Sequence, residues 1–284
     1  MKKILITGRD GQVGWELQRT LAPLGEIVAL DRKALDLADA DALRAALRSA
    51  KADIIVNAAA YTAVDQAESE SALADAVNGQ APGIMAEEAR KTGALLVHYS
   101  TDYVFDGSGT APFTETSTTS PLNAYGRGKL AGEQAIQAVG GRYLILRTSW
   151  VYGLRGKNFL RTILRLAQER DELRIVADQI GAPTWSRLIA EATALALVRQ
   201  TSCEGLYHLT SGGETSWHGF TEAILELTRD QRTRNPKLVG IPATEYPLPA
   251  KRPYNSRLTC AKLADDAGIA LPHWRDALAL CLAQ

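Results

Sequence analysis

The stretch "ILITGRDGQVGWELQ", residues 4–18, decides the fold class. Its first four residues form a short aliphatic run typical of a buried strand, and an amphipathic helical pattern begins at its end. A G-x-x-G-x-x-G turn made by Gly8, Gly11 and Gly14 joins the two. Such glycines let the backbone turn tightly and approach a pyrophosphate, whose charge then interacts with unpaired N–H groups at the helix start. The stretch therefore predicts a strand, a phosphate-binding turn and a helix.

The rest of the first half repeats this order. Short aliphatic runs alternate with longer Ala-rich amphipathic stretches, as expected of a parallel sheet covered by helices on both faces. The predicted strands are residues 4–7, 27–30, 53–57, 95–100 and 143–147, and the predicted helices are residues 14–24, 39–50, 67–92 and 124–139. The pattern predicts an α/β fold, a Rossmann-like doubly wound parallel sheet.

The end of the second predicted strand points to a dinucleotide. Asp31 lies 17 residues after Gly14, where a carboxylate can accept hydrogen bonds from an adenosine ribose. Arg32 and Lys33 follow at once and can instead meet a 2′-phosphate, so NADH and NADPH both remain candidates. Small residues after the third strand, in "NAAA" at 57–60, allow a flat ring system to lie close to the carboxyl end of the sheet.

The regular alternation loosens after about residue 152. A helix near 158–170, a strand-like run at 173–176, a helix near 186–199 and another strand-like run at 206–209 follow. Five prolines between residues 235 and 253 predict loop and extended chain. We predict an NAD(P)-binding Rossmann domain at 1–152, to which segments near 173–210 return, and a smaller, discontinuous α/β substrate-binding domain at 153–284.

Composition excludes several classes of partner. The chain has 284 residues, with 32 Lys plus Arg against 32 Asp plus Glu, so no net field favours nucleic acid or an anionic membrane. Its three cysteines, Cys203, Cys260 and Cys281, form no C-x-x-C pair, which suits a reducing compartment. No apolar run approaches the roughly 20 residues of a membrane span, and the first strand begins too early for a signal peptide. We expect a cytoplasmic protein.

Two further motifs carry acid–base chemistry. Ser100 and Thr101 place two hydroxyls at the carboxyl end of the fourth predicted strand, on the side where the cofactor is expected. Tyr125 and Lys129 are four residues apart, so on a helix their side chains share one face. A neighbouring ammonium lowers the phenol pKa from its usual value of about 10. The pair can then pass a proton.

Taken in this order, the motifs resemble the extended short-chain dehydrogenase/reductase family of nucleotide-sugar enzymes, and within it most closely the dTDP-4-dehydrorhamnose reductases. The resemblance spans nearly the full length and rests on "GQVGWELQRTLAPLG", "IVNAAAYTAVDQAE", "VHYSTDYVFDG", "SPLNAYGRGKLAGE", "LRTSWVYG", "GAPTWSRLIAE", "GLYHLTSGGETSWHGF" and "KRPYNSRL". It implies reduction of the C4 ketone of dTDP-4-dehydro-L-rhamnose to dTDP-L-rhamnose with hydride from NADH or NADPH. The product would supply surface polysaccharides such as O-antigen.

The resemblance also implies roles for single residues. Tyr125 would donate the proton to the C4 alkoxide, Lys129 would lower the Tyr125 pKa and bond the nicotinamide ribose, and Thr101 would hydrogen-bond the same oxygen. The implied cofactor contacts are Gly8, Gly11, Gln12, Val13, Gly14, Asp31, Asp36, Leu37, Ala59, Ala60, Tyr61, Thr62, Tyr125 and Lys129. The implied substrate contacts are Thr101, Asp102, Trp150, Val64, Arg252 and Asn255, and Asn78 resembles the family's helix Asn near the active site.

The chain departs from the family pattern at two places. Gly128 stands where relatives often have Ser or Thr before the Lys, and the sequence offers no account of it. Some relatives dimerise through Mg²⁺ held by acids, for which Glu16 and Glu191 are the candidates here. Arg187 is a cation where a metal-site acid is expected, which disfavours the metal and leaves a monomer or a homodimer open.

Three other functions compete with the reductase. Dehydratases of the same fold carry an Asp-Glu pair after the Thr, whereas Tyr103 follows Asp102 here, which disfavours dehydration. Epimerases share Tyr-x-x-x-Lys but hold NAD through a catalytic cycle, so tightly bound NAD in the purified protein would favour an epimerase. A non-catalytic NAD(P)-binding regulatory subunit would not need the proton-transfer residues.

Overall fold

The structure is a computed structural model that describes residues 1–199 and 204–283. In chain order its strands are β1 (Lys2–Thr7), β2 (Gly25–Leu30), β3 (Ile54–Asn57), β4 (Leu95–Thr101), β5 (Tyr143–Thr148), β6 (Val151–Tyr152), β7 (Glu172–Val176), β8 (Ile180–Gly181), β9 (Thr184–Trp185), β10 (Gly205–His208), β11 (Thr215–Ser216) and β12 (Lys237–Ile241). Its α-helices are α1 (Gln12–Thr20), α2 (Ala40–Ala50), α3 (Ser71–Asp75), α4 (Ala81–Thr92), α5 (Ala124–Val139), α6 (Phe159–Glu169), α7 (Ser186–Val198), α8 (Trp217–Leu227), α9 (Ala261–Ala267) and α10 (Trp274–Leu282).

Six parallel strands form the main sheet in the order β10-β5-β4-β3-β1-β2. Helices α1 and α7 pack together on one face, while α2, α4 and α5 cover the other. The order reverses around β1, since β2 lies on one side of it and β3 on the other, and ligands of such sheets bind at the carboxyl ends beside this reversal. The predicted α/β, Rossmann-like doubly wound sheet is confirmed.

Alternate residues of each main strand feed two separate cores. Ile4 and Ile6 of β1 belong to the core under α1 and α7, whereas Leu5 between them belongs to the core under α2, α4 and α5. Each strand is therefore apolar on both faces, which explains the continuous aliphatic runs in the sequence.

The second half of the chain builds a third core. Its buried members come mostly from α6, α8 and α10 and include Tyr152, Leu160, Phe220, Trp274 and Leu278. Three two-stranded sheets, β7 with β12, β8 with β11 and β6 with β9, accompany it. Strand β10 returns to the main sheet and α7 packs on α1. The predicted boundary at residue 152 stays a prediction.

Two elements differ from the sequence prediction. The proline-rich segment predicted as loop contains β12, because Pro236 and Pro242 lie just outside it and β12 pairs on one side only, with β7. The single helix predicted over residues 67–92 is interrupted: a 3₁₀ turn at Gln66–Glu68 and α3 precede a π-helical turn at Ala76–Gln80, and only then does α4 begin.

Asn78 explains the π-helical turn. Its Oδ1 accepts from Tyr61 N and its Nδ2 donates to Tyr61 O, each at 2.9 Å. The amide thus pairs with the backbone after β3 as a neighbouring strand would. One-turn π-bulges of this kind commonly occur at functional sites, and here the bulge fixes the loop that carries Tyr61 and Thr62.

Candidate active site

The glycine-rich turn is packed so closely that side chains are excluded. Gly8 has φ +73°, and a Cβ there would lie 2.7 Å from Ala59 Cα. A Cβ on Gly14 would lie 2.1 Å from the Gly8 carbonyl oxygen. Gly11 is the N-cap of α1 and gives it no side-chain cap, so the first N–H groups of the helix remain for a ligand. This cradle fits a dinucleotide pyrophosphate.

A cavity of about 540 Å³ runs from this turn to α5. The predicted cofactor residues that line it are Gly8, Gly11, Gln12, Val13, Asp31, Asp36, Leu37, Ala59, Ala60, Tyr61, Thr62, Tyr125 and Lys129. Gly14 does not line the cavity but supports the turn from behind. Thus the structure brings together residues separated by more than a hundred positions, while their contacts with a cofactor stay predictions.

Other cavity residues escaped the sequence prediction. Gly156 and Lys157 come from the loop after β6, and Tyr99 and Thr148 come from the ends of β4 and β5. The only available signal for the loop was its position after "LRTSWVYG", at a strand's carboxyl end. Thr7 and Val77 also line the cavity, from β1 and the π-helical turn.

Asp31 is an ionised acceptor at the end of β2. A hydrogen bond from Ala34 N to Oδ1 at 2.8 Å is the main cause that lowers its pKa, and the nearby guanidinium of Arg9 contributes. Arg9 Nη2 lies 3.2 Å from Asp31 Oδ2. One carboxylate oxygen of Asp31 is therefore already paired with a cation.

Thr101 and Tyr125 meet at the other end of the cavity. Thr101 is buried at the end of β4; its Oγ1 donates to Asp102 Oδ1 at 3.0 Å and accepts from Tyr103 N at 3.2 Å. Burial raises the pKa of Asp102 to about 6, and the hydrogen bond from Thr101 opposes the rise. The Thr101 hydroxyl thus lies near the Tyr125 phenol and is bonded to a carboxyl group that ionises at a higher pH than an ordinary aspartate.

The pKa of Tyr125 moves opposite to the sequence prediction. Burial raises it to about 12, the neighbouring Thr101 hydroxyl opposes that rise, and the negative charge of Asp102 adds to it. Lys129 does not lower it here, because the Lys129 Nζ is directed to His98 Nε2 at 3.0 Å. Tyr125 therefore stays protonated at neutral pH, as a proton donor must.

Lys129 is buried to an unusual degree for a lysine, with 2% of its surface exposed. Burial lowers its pKa to about 8, and the carboxylate of Glu133, one helical turn further along α5, opposes the fall. Burial and the charge of Lys129 together keep the pKa of His98 well below its usual range. A neutral imidazole thus faces the Lys129 side chain.

The glycines of α5 allow close packing next to the reactive pair. A Cβ on Gly126 would lie 2.2 Å from the Tyr103 carbonyl oxygen, and one on Gly132 would lie 2.2 Å from the Asn78 carbonyl oxygen. Gly128 faces Asn78 more loosely, since its Cβ would lie 3.3 Å from the Asn78 Cβ. The helix therefore accepts its low propensity in order to lie against the π-helical turn and the turn after Thr101.

Two predicted substrate residues border the second half of the chain. Arg252 Nη2 lies 2.9 Å from Asp65 Oδ2, next to Val64, and its guanidinium is 5.9 Å from the Tyr103 ring centroid. Trp150 has φ +48° and stacks on Trp217 with ring centroids 3.6 Å apart. Arg252, Tyr103 and Trp217 line a second cavity of about 1010 Å³.

Asn255, another predicted substrate residue, lies away from both cavities. It is buried, its Nδ2 donates to the carbonyl oxygens of Ser108 at 3.3 Å and Ala111 at 2.8 Å, and its Oδ1 accepts from Arg257 N at 3.2 Å. Its amide is used within the protein, and it lines neither cavity. In this structure Asn255 fixes the 108–111 loop.

One of the two suggested metal residues, Glu16, forms an ion pair with Arg187. Arg187 Nε lies 3.2 Å from Glu16 Oε2, and burial raises the pKa of the neighbouring Glu191 while Arg187 opposes the rise. Within residues 1–199 and 204–283, no group of three or more His, Cys, Asp or Glu could hold a metal ion. A guanidinium is thus paired with one of the two acids.

The remaining sequence expectations concern cysteines and membranes. Burial raises the pKa of Cys260, and it raises that of Cys281 to about 12, so neither is an activated thiolate. Cys203 lies outside the described residues. No helix in the described part of the chain combines the length and the apolar character needed to cross a membrane.

The parallel sheet, the glycine-rich turn and the Tyr-Lys pair together define a Rossmann-type nucleotide-binding protein of the short-chain dehydrogenase/reductase class. A family model described as "RmlD substrate binding domain" matches residues 1–284. The chain belongs to this family, as its resemblance to dTDP-4-dehydrorhamnose reductases predicted.

Individual relatives support the same assignment. The chain is 52% identical to a dTDP-4-dehydrorhamnose reductase of Burkholderia thailandensis, covering 99% of this chain and 98% of the relative. It is 46% identical to that of Escherichia coli K12, covering 96% and 94%.

Solved structures agree. A dTDP-4-dehydrorhamnose reductase of Clostridium acetobutylicum has a TM-score of 0.94 at 36% identity, covering 99% and 98% of the two chains. One of Bacillus anthracis, in complex with NADP, has a TM-score of 0.93 at 34% identity, covering 99% of each. A UDP-glucose 4-epimerase of Thermus thermophilus, in complex with NAD, has a TM-score of 0.83 at 22% identity and shows the shared fold.

Proposed function

We propose that this chain reduces the C4 ketone of dTDP-4-dehydro-β-L-rhamnose to dTDP-β-L-rhamnose, with hydride from NADPH or NADH. The observation that carries the proposal is Tyr125, which burial keeps protonated next to Thr101, at the end of a cavity that begins at a pyrophosphate cradle. Full-length similarity to proteins named dTDP-4-dehydrorhamnose reductase selects the substrate. The product would enter dTDP-rhamnose and surface polysaccharide biosynthesis.

The cavity residues suit a reduced nicotinamide dinucleotide. The N–H groups at the start of α1 would bind the pyrophosphate, Asp31 the adenosine ribose, and Lys129 the nicotinamide ribose. The bound cofactor would supply the hydride. Small side chains at Ala59 and Ala60 leave room for a flat ring against the sheet.

Tyr125 supplies the proton. As hydride reaches C4, charge develops on the carbonyl oxygen, and a phenol with a raised pKa of about 12 transfers its proton as that oxygen approaches an alkoxide in basicity. Thr101 lies next to Tyr125, and its hydroxyl proton, which Asp102 Oδ1 accepts here, would turn to the same substrate oxygen. Asp102, whose pKa burial raises to about 6, is still mostly ionised at neutral pH and could accept a hydrogen bond from a sugar hydroxyl.

The second cavity suits the nucleotide part of the substrate. Phe159 and Trp217 offer flat apolar walls, and the cations at its border are Arg170, Arg174, Lys251 and Arg252. A base can stack on such walls, while guanidinium groups bind a diphosphate. Because Tyr103 lines this cavity and follows Asp102 directly, the sugar would extend from here towards Tyr125. We assign Trp150 to this wall through its stack on Trp217.

The adenosine end allows either cofactor. Asp31 favours a free ribose, whereas its partner Arg9 and the cavity residue Arg32 are cations that would meet a 2′-phosphate. Since one oxygen of Asp31 is already paired, a phosphate there would face less repulsion. We propose that NADPH is accepted along with NADH.

Two alternative functions, an epimerase and a regulatory subunit, have less support. An epimerase would use the same Tyr and Lys, but the UDP-glucose 4-epimerase structure is only 22% identical to this chain and supports the fold alone. A regulatory subunit would not need a buried, protonated Tyr125 next to Thr101. We further propose that the protein acts in the cytoplasm, as a monomer or homodimer, without nucleic acid or Mg²⁺.

In the deciding experiment, the purified protein is incubated with dTDP-4-dehydro-L-rhamnose and either NADH or NADPH. Loss of absorbance at the nicotinamide band and NMR identification of the C4 alcohol are expected. Absence of turnover with both cofactors would overturn the reductase, and NAD co-purifying in stoichiometric amount would favour the epimerase.

A further inference from the structure

Three strands and one helix contribute to a buried polar row beside the active site. Thr7, Asn57 and His98 are register partners on β1, β3 and β4, since Thr7 pairs with Asn57 and Asn57 with His98. Side chains of register partners point to the same face of a sheet, here the face that α5 covers. Lys129 of α5 completes the row, and no member is more than 2% exposed.

The row is continuous in hydrogen bonds. Thr7 Oγ1 lies 2.8 Å from Asn57 Oδ1, Asn57 Nδ2 lies 3.1 Å from His98 Nδ1, and His98 Nε2 lies 3.0 Å from Lys129 Nζ. Polar groups buried at this depth are costly unless each has a partner. Of these four residues the proposed reaction uses only Lys129, so the other three need a separate explanation.

Counting protons fixes the direction of each bond. A charged lysine has three N–H donors and no acceptor, so His98 Nε2 must accept from Lys129. The neutral imidazole then carries its proton on Nδ1 and must donate to Asn57. Rotating the Asn57 amide by about 180° exchanges Oδ1 and Nδ2 at the same positions. Thr7 Oγ1, which both donates and accepts, remains satisfied in either orientation.

We propose that His98 is a positioning residue for Lys129: its Nε2 accepts a hydrogen bond from the ammonium, and Asn57, supported by Thr7, holds the imidazole as the Nδ1–H tautomer. The role in turnover rests on the proposed reductase function. A carboxamide does not readily relay protons, so the row orients Lys129 rather than conducting protons to solvent.

Other ionisable groups near this pair act on Lys129 without replacing His98. Glu133 and Tyr125 share α5 with it, and Glu133 is paired with Arg147 of β5 at 2.6 Å. Thr7 and Asn57, from β1 and β3, carry no charge. His98 is therefore the hydrogen-bond acceptor that the described residues place at Lys129 Nζ.

The test compares two substitutions of His98 with a matched control. His98→Leu removes the acceptor and is expected to lower kcat/KM and NADPH affinity about 10- to 100-fold, and to move the alkaline limb of the pH profile to lower pH, because an unpartnered buried ammonium deprotonates more easily. His98→Gln offers Oε1 in place of Nε2 and is expected to restore most of the loss. His208→Leu removes another buried imidazole, which lies edge-on to Phe105, and should keep the wild-type pH profile.

The outcomes distinguish a failure of the His98 proposal from a failure of the proposed reductase function. If wild-type protein turns over the ketosugar but His98→Leu matches it, or His98→Gln loses as much as His98→Leu, the positioning role is overturned. Long-range ¹H–¹⁵N NMR of the wild-type imidazole needs neither substrate nor a variant that folds. A neutral Nδ1–H ring is expected near pH ~6.5, and an Nε2–H ring or an imidazolium would overturn the proposal even if no reductase activity existed.

Discussion

Arg147 of β5 and Glu133 of α5 form a bidentate ion pair inside the protein, with Nη2 2.6 Å from Oε2 and Nε 2.9 Å from Oε1. Their side chains are only 4% and 1% exposed. The pair joins the helix that carries Tyr125 and Lys129 to the strand next to β4. Desolvation offsets much of the attraction between two buried charges, so the pair adds little net stability. Its main effect is to fix the position of α5 on the sheet.

Glu133→Gln is expected to destabilise the protein by about 3–5 kcal/mol, since it leaves the Arg147 charge buried without a counter-charge. Urea denaturation gives the free energy of unfolding. The matched control is Glu169→Gln, which removes an exposed pair with Arg165 at 2.6 Å and should change stability by less than about 0.5 kcal/mol. Equal effects of the two substitutions would show that the buried pair does not hold α5.

Tyr125→Phe is expected to lower kcat for ketosugar reduction about 10²- to 10⁴-fold while NADPH affinity changes little, because only the proton donor is lost. Stopped-flow turnover and fluorescence titration of NADPH measure the two quantities. Tyr143→Phe, at the opposite end of the sheet on β5, serves as the control with wild-type kinetics. A Tyr125→Phe enzyme with near-normal kcat would assign the proton to another group.

The sequence predicts the sheet well because local signals determine it. Short aliphatic runs locate β1 to β5, and a turn between a strand and a phosphate-binding helix favours glycine at the Gly8 position. Tyr125 and Lys129 share a helix face by spacing alone, so their proximity follows without knowledge of the fold.

Features set by distant contacts were out of reach of the sequence. The π-helical turn depends on Asn78 pairing with Tyr61, and the Tyr125 pKa depends on burial rather than on the neighbouring lysine. His98 is a lone histidine in an apolar strand, which carries no local signal of a role. The resemblance implies a substrate contact for Asn255, which stays a prediction; its amide nitrogen here bonds the 108–111 loop, a contact between distant parts of the chain.

The Lys129 pKa of about 8 predicts a pH limit for the enzyme. The ammonium form exists below that pKa, so kcat/KM should be constant from about pH 6 to 7 and fall as pH rises through about 8. Enzyme that is pre-incubated at each pH and then assayed at pH ~7 distinguishes this titration of Lys129 from irreversible unfolding. Lys129→Met should lower kcat/KM and abolish its fall between pH ~7 and ~9. A wild-type kcat/KM that stays constant up to about pH 10 would contradict the charged role of Lys129.

Asp102 is expected to cost stability at alkaline pH. Its folded pKa of about 6 is raised above the ordinary value of 3.8, so its favourable contribution is present below pH ~4 and is lost as pH rises through ~6. Asp102→Asn should therefore raise the free energy of unfolding at pH ~8 by on the order of 1–3 kcal/mol and change it little at pH ~4, while reducing turnover.

Asp106 supplies a control of opposite sign for that measurement. The hydrogen bond from Ser108 N at 2.9 Å lowers the Asp106 pKa, so its contribution is present above the unfolded value and is lost as pH falls. Asp106→Asn should destabilise at pH ~8. If Asp102→Asn behaved like Asp106→Asn in urea denaturation at this pH, burial would not be what raises the Asp102 pKa.

Gly126 and Gly128 lie two residues apart in α5, but we expect alanine to change the stability of the protein very differently at the two positions. At Gly126 the new methyl would lie 2.2 Å from the Tyr103 carbonyl oxygen, a rigid backbone atom, so Gly126→Ala should cost about 3 kcal/mol or more and displace the turn that carries Asp102. At Gly128 the methyl would lie 3.3 Å from the Asn78 Cβ, and the gain of about 1 kcal/mol in helix propensity offsets that contact.

Gly128→Ala is therefore expected to change the free energy of unfolding by no more than about 1 kcal/mol and to keep the wild-type kcat. Urea denaturation and ketosugar turnover of both variants measure the difference. Comparable losses at the two positions would mean that α5 packs against Asn78 as tightly as against Tyr103, and that Gly128 is as necessary to the site as Gly126.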